Sequence, residues 1–260
     1  MSFYINSIVV SLKTELSYRA NTLIRMITLL SSVFIQYFIW KALLPAGVSA
    51  NGVDYQYMST YVILSTLISV LLPTTLINDV DGQIKSGQVV LNLLRPVKFK
   101  AILISNAIGK SLFSLLANIP VLITALLLFP LQLHSLQNMM LFLISIILGV
   151  QLYYSISYIL GLLGFWFVQI WILARFLSDF TRFFAGALIP LVFFPDILLK
   201  ISKFLPFKYM YYSPIDIFIR ASGSEAIDII LRQIIWIISL HLLQAILWKF
   251  AIKKLVILGG

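Results

Sequence analysis

A chain of 260 residues with 61% apolar and 11% charged side chains and a mean hydropathy of +1.02 is far from a soluble domain, which averages roughly 45–50% apolar and about 25% charged. It reads as an all-α polytopic membrane protein: a bilayer core of about 30 Å takes roughly 20 apolar residues per helix, so the length suffices for six spans. With no Cys there is no disulfide framework, thiol nucleophile or thiolate metal site, and a net charge of +10 fits Lys and Arg holding cytoplasmic loops against anionic lipid rather than nucleic-acid binding.

Within residues 1–19, Ile5, Ile8, Val9, Leu12 and Leu16 recur at helical spacing, with Asn6, Ser7, Ser11, Lys13, Thr14 and Glu15 opposite. That is the pattern of an amphipathic interfacial helix. A first span is predicted over 21–44, too long for the apolar core of a signal peptide, about 7–15 residues. Val48-Ser49-Ala50 resembles a cleavage site, but the long amphipathic lead favours an uncleaved anchor. A link holding Pro45, Gly47, Asn51, Gly52 and Asp54, without Lys or Arg, should lie outside. Spans are then expected over 56–77, 101–129, 138–164 and 172–194, with a polar segment over 78–100 between the second and third. Pro190, Pro195, Pro206 and Pro214, set among Phe and Tyr, mark broken or re-entrant helix with aromatic anchors. Ser222-Gly223-Ser224-Glu225 matches a capping box and opens the last span, 226–252.

Twelve Lys and Arg fall on one side of this arrangement, from Lys13 to Lys254, and four on the other: Lys200, Lys203, Lys208 and Arg220. Both termini are therefore expected in the cytoplasm, the four dissenting cations being carried by the Pro-rich segment.

Gly109-Lys110-Ser111 imitates the end of a phosphate-binding loop, but Ile104 stands where the first Gly belongs and the string lies in an apolar run. A phosphate loop needs a Gly-rich turn after a strand, so no ATP site is expected there. The same helix carries Asn106, Lys110, Ser114 and Asn118 at every fourth position, one drifting face that could line a translocation path. Lys110 either faces a cavity or partner, or snorkels to the inner interface. Gln151, Ser155 and Tyr158 form a second polar face, lining a path or bonding between helices. Arg175, Asp179 and Arg182 are spaced to pair on one helix. Asp179 lacks a second carboxylate, and His134 and His241 lack a nearby acid, so catalysis is not expected. An ion-coupled secondary transporter of a hydrophobic substrate remains the alternative, although no internal repeat supports it.

The segment from Asn78 to Val97 is more organised than a connector needs to be. Asp79 and Asp81 suit a helix start, Gly87 ends a short turn, Leu91 and Leu94 form an apolar edge, and Pro96 precedes the next span. A short helix standing off the membrane in this way is suited to docking a soluble partner.

These residues, with the amphipathic first helix, the closing Leu93-Leu94-Arg95-Pro96-Val97 and the series Gly186, Pro190, Phe194-Pro195, Leu205-Pro206-Phe207, Pro214, resemble the membrane subunits of ATP-binding-cassette (ABC) exporters of type 2, over nearly the whole chain. The resemblance implies a permease subunit without its own ATPase site, partnered by separate ATPase subunits that carry ATP and Mg and by a second permease, as homodimer or heterodimer. It implies export of an amphipathic or hydrophobic substrate across a bacterial plasma membrane, in contact with lipid. Carried over to this chain, Asp79, Asp81, Gly82, Gln83, Ile84, Lys85, Ser86 and Gly87 would be the coupling helix facing the ATPase. Better-known branches favour Glu pairs and Thr after the Gly, where this chain has Asp79, Asp81 and Gln88; it is similar to a branch whose permeases often come as two related subunits.

Overall fold

The computed structural model describes residues 2–45, 49, 52–72, 75–94, 97–131 and 135–259. Arg95, Pro96, His134 and most of the string around Ser49 lie outside the described residues. Helix α1 (Ser2–Ser17) and α2 (Arg19–Leu43) lead to α3 (Tyr55–Leu71); α4 (Leu76–Lys85) and α5 (Gln88–Leu93) occupy the polar segment; α6 (Phe99–Ala117), α7 (Ile119–Leu128) and α8 (Leu136–Leu162) follow. The short helices α9 (Trp171–Phe184), α10 (Asp196–Phe204) and α11 (Tyr212–Ile219) precede the long α12 (Gly223–Gly259), and no strand occurs among the described residues.

The starts of three long helices are written locally. Asp54 accepts from the Tyr57 amide at 2.7 Å to open α3, and Ser135 accepts from the Asn138 amide at 3.3 Å to open α8. At α12 the expected capping box forms: the Ser222 amide donates to Glu225 at 2.8 Å and the Glu225 amide to the Ser222 hydroxyl at 3.4 Å.

Five helices among the described residues are long and apolar enough to cross a bilayer: α2, the helix starting at Tyr55, α6, α8 and α12. Two expected spans take another form. The one over 101–129 is interrupted at Asn118, because Pro120 has no N–H for the carbonyl four residues back and its ring crowds that carbonyl; α7 restarts with Pro120 in its first turn. The span expected over 172–194 is not one helix. α9 has 14 residues, about 21 Å at 1.5 Å each, and the chain then turns at Gly186, whose φ of 81° is left-handed backbone that favours Gly. Pro190 and Pro195 bracket a single 3-10 turn, Leu191–Phe193, before α10 begins. Residues 186–211 are an excursion closed at its base, since the Tyr212 amide donates to the Ala185 carbonyl at 3.0 Å.

α3 is the central rod, with 12 of its 17 residues buried. Tyr61 donates from its hydroxyl to the Gly186 carbonyl at 2.6 Å, fixing the base of the excursion to the core. α8 and α12 run side by side in the same direction: Asn138 donates to the Ala221 carbonyl at 3.2 Å, Ser145 to Gln233 at 3.0 Å, and Gln244 to the Ser155 carbonyl at 2.9 Å. Gln233 also donates to the Tyr209 carbonyl at 2.9 Å, and a Cβ on Gly149 would stand 3.1 Å from that same oxygen. The returning chain therefore lies against the middle of α8. From there α11 runs back along α8 in the opposite sense, with Phe218 against Phe142 at 5.1 Å between ring centres.

Of the polar face noted on α8, the Ser155 hydroxyl is buried without a partner, and contact between helices comes from the Ser155 backbone and the Tyr158 ring. The Ser155 carbonyl bonds Gln244, whose other end takes the ammonium of Lys100, and Lys100 also lies over the Tyr158 ring at 5.7 Å.

Candidate functional site

α1 lies along the first half of α6 in the same direction, with the Tyr4 hydroxyl at the Lys98 amide (3.4 Å) and the Ser11 hydroxyl donating to Asn106 at 3.1 Å. Its inward side is mixed: Tyr4, Ser7, Ile8, Ser11, Leu12 and Glu15 are partly buried, while Ile5, Val9 and Leu16 are exposed together with Asn6, Lys13 and Thr14. The close approach needs Gly109: a Cβ there would sit 2.5 Å from the Ile8 carbonyl oxygen. Each member of Gly109-Lys110-Ser111 thus has a structural partner. Ser111 donates to the Leu71 carbonyl at 2.9 Å and lies 3.0 Å from the Tyr154 hydroxyl.

Lys110 holds Asp79 with contacts of 2.7 and 2.9 Å and reaches Thr75 at 3.2 Å. Both charged groups are largely shielded, 23% and 29% exposed. Lys110 therefore has the ion partner expected of a cation in an apolar setting. Together with Ser114 and Asn118, on the same face, it lines a cavity of about 170 Å3 that Arg25, Ser69 and Thr75 share. The four sequence-predicted path residues divide here: Asn106 bonds α1 and lies at a separate cavity between α1 and α5, whereas Lys110, Ser114 and Asn118 share this one. The side-chain oxygen of Asn118 is buried without a partner.

Arg25, Leu29, Ser69 and Leu72 also line a second cavity of about 330 Å3. Its α2 wall is Arg25, Thr28, Ser32 and Gln36, and α3 contributes Ser65 and Thr66. α9 supplies Ser178, Thr181 and Arg182, and Tyr153 and Tyr211 complete the hydroxyl-rich lining. This stripe was legible in the sequence and overlooked: Thr28, Ser32 and Gln36 recur every fourth residue inside an apolar span, one turn after Arg25, the same signal that singled out α6. Arg175 pairs with Asp179 at 3.4 Å on an exposed face, and Arg182, the third member of that series, faces the cavity instead.

The coupling residues also divide. Asp81 is 9% exposed; one oxygen accepts from Lys85 at 2.6 Å and the other is buried without a partner. A Cβ on Gly164, just past α8, would come within 2.8 Å of that second oxygen, and one on Gly161 within 2.6 Å of Val80. Asp79 and Asp81 were expected to face a partner; the structure turns both toward the body of the protein, because α6 offers a cation and the glycines let α8 close over α4. Gln83 accepts from Asn92 at 2.6 Å, which ties α4 to α5, and Ile84 is partly buried. Gly82, Lys85, Ser86 and Gly87 remain exposed, continuous with exposed Gln88, Leu91 and Leu94. Gly87, at φ 71°, makes the left-handed corner between the two helices.

A comparison with curated proteins finds no match. Residues 30–259 match the model of a family described as ABC-2 family transporter protein, a stretch that takes in the whole α4–α5 corner and the cavity walls apart from Ile24, Arg25, Thr28 and Leu29 on the first half of α2. A membrane-embedded bundle with a polar interior track, a polar helical corner and that match over most of its length make the chain a member of the ABC-2 transporter family, a membrane component of ABC transport.

Proposed function

We propose that this chain is the permease subunit of an ABC exporter, pairing with a second permease and driven by separate ATPase subunits that bind ATP and Mg, and that it moves an amphipathic molecule outward along the two linked cavities. The carrying observation is the Asp79–Lys110 ion pair at 2.7 Å, which joins the corner helix α4 directly to the wall of the inner cavity. A push on the exposed edge at Gly82, Lys85, Ser86 and Gly87 moves Asp79, and with it Lys110. Coupling then needs only the making and breaking of that contact, a two-state element of the kind that transmits a displacement between packed helices.

The same reading gives six crossings and cytoplasmic termini. Because α8 and α12 run in the same direction, residues 163–222 return the chain along the whole length of α8. α9 and α11, with 14 and 8 residues, meet at the Ala185–Tyr212 bond and together hold the length of one span. The fifth crossing is thus built in two pieces, with residues 186–211 as a re-entrant excursion between them. The Lys and Arg bias places α4, α5 and both ends inside.

The test is reconstitution in vesicles with the cognate ATPase. ATP-dependent efflux of a fluorescent amphiphile should appear, and Lys85→Glu should reduce it while the permease stays in the membrane. Efflux driven by a proton or sodium gradient from vesicles holding this chain alone would overturn the proposal.

A further inference from the structure

The larger cavity has an electrostatic peculiarity. Two arginines line it, Arg25 and Arg182, and no carboxylate does. Arg25 is answered from outside by Glu15 on α1, at 3.3 Å. Arg182 has no ion pair among the described residues, although its neighbour along α9, Arg175, has one. Beside it the Thr181 hydroxyl lines the same cavity, is 97% withdrawn from the surface (3% exposed), and has no hydrogen-bond partner.

Arg182 stands exposed at the edge of the cavity, free to turn its guanidinium to a ligand, and the unsatisfied buried hydroxyl of Thr181 is costly unless something completes it. They stand one turn before the break between α9 and α11, and half-helices broken at mid-depth are where membrane carriers bind polar groups. Hydroxyls from Ser32, Ser69 and Tyr211 on three other elements surround the same space. A cavity of about 330 Å3 is at the small end of ligand sites, which run about 300–1,000 Å3. It holds a headgroup and cannot also hold acyl chains. At its rim Ile24 is 63% and Leu188 43% exposed, an apolar exit toward lipid between α2 and the turn after α9.

We propose that this cavity is a binding site for the anionic headgroup, phosphate or a like oxyanion, of an amphiphile whose hydrocarbon tail leaves between α2 and the turn after α9. Arg182 supplies the charge and a planar fork matched to a tetrahedral oxyanion. Thr181 supplies a hydroxyl donor, and Arg25, held by Glu15, marks the inner end. The inference rests on the transport reading, whose cargo it narrows to anionic amphiphiles.

The experiment uses the full chain in phosphatidylcholine nanodiscs, titrated with lysophosphatidic acid, lysophosphatidylcholine or inorganic phosphate and read by native mass spectrometry. Wild type should retain lysophosphatidic acid at least tenfold more tightly than lysophosphatidylcholine. Arg182→Gln should lose that preference, Arg182→Lys should keep part of it, and Thr181→Val should weaken it severalfold, all three with unchanged thermal unfolding. Competition by inorganic phosphate at the same concentration as the lipid would show a site for the free ion and overturn the amphiphile. Equal retention of the two lipids by wild type, or an undiminished preference in Arg182→Gln, would overturn the site. ATP-driven efflux of an uncharged amphiphile separates the two readings: if it persists while the anion preference is absent, the headgroup inference alone fails.

Discussion

At the scale of single residues, the Asp79–Lys110 contact makes the strongest demand. Lys110→Ala strands a carboxylate that is 29% exposed against an apolar helix face; leaving a buried polar group without its partner costs about 1–3 kcal/mol, and a charged one more. The expected result is a lower unfolding temperature in detergent and loss of transport, with the exchanged pair Asp79→Lys, Lys110→Asp recovering part of both; if the exchange recovers neither, the pair is not the link. Asp81 teaches a different lesson. Its spacing from Asp79 suggests two acids presented to a partner, yet it lies 9% exposed with Gly164 over it. Asp81→Lys is therefore expected to lower the amount of protein in the membrane, measured by quantitative blotting, whereas Leu91→Asp, on exposed α5, should leave abundance intact and release the ATPase on pull-down. Sequence spacing ranks residues by what they can reach along their own helix. Which neighbour supplies Lys110, or the bare backbone of Gly161 and Gly164, is settled by packing between segments some 30 and 80 residues apart, and no local pattern contains it.

Among the elements, the start of α12 was read from its capping box at Ser222 and Glu225. Asp54 and Ser135 at the starts of α3 and α8, and Pro120 at the bend after α6, are equally local signals, and the expectation of one unbroken span over 101–129 passed over the last. The segment expected as a span over 172–194 was not readable as drawn, because apolar content alone cannot distinguish one long helix from two short ones joined by a backbone bond. Gly186 and Pro190 were the available signals, and the Ala185–Tyr212 bond makes sense of them. α1 shows the same limit. Its amphipathic pattern was plain, but which side would meet protein depended on Gly109, a residue 101 positions after Ile8. With backbone so close, Gly109→Val should force α1 off α6. A disulfide between Cys residues placed at Ser11 and Asn106, whose side chains now bond at 3.1 Å, should form readily in the parent and fail in the Gly109→Val background; formation in both would mean that α1 is held elsewhere.

For the molecule as a whole, the decisive relation is the shared direction of α8 and α12. It places Ser135 and Ser222 at one face and Lys85 and Lys254 at the other, the last with its ammonium over the Trp166 ring at 5.8 Å. In a chain that has no Cys, single Cys residues at Ser135 and Ser222 should react with an impermeant maleimide added outside intact cells, and those at Lys85 and Lys254 only after lysis. Opposite reactivity at 135 and 222 would dismantle the two-piece crossing. The shared direction also constrains the order of assembly during synthesis. α8 leaves the ribosome about 60 residues before α12, and until then the Ser145 hydroxyl and carbonyl and the Tyr209 carbonyl have no amide from Gln233 to satisfy them. Until then α8 and the returning chain form an incomplete groove, and a product cut short before Gly223 is expected to expose it to the membrane proteases that clear unfinished chains.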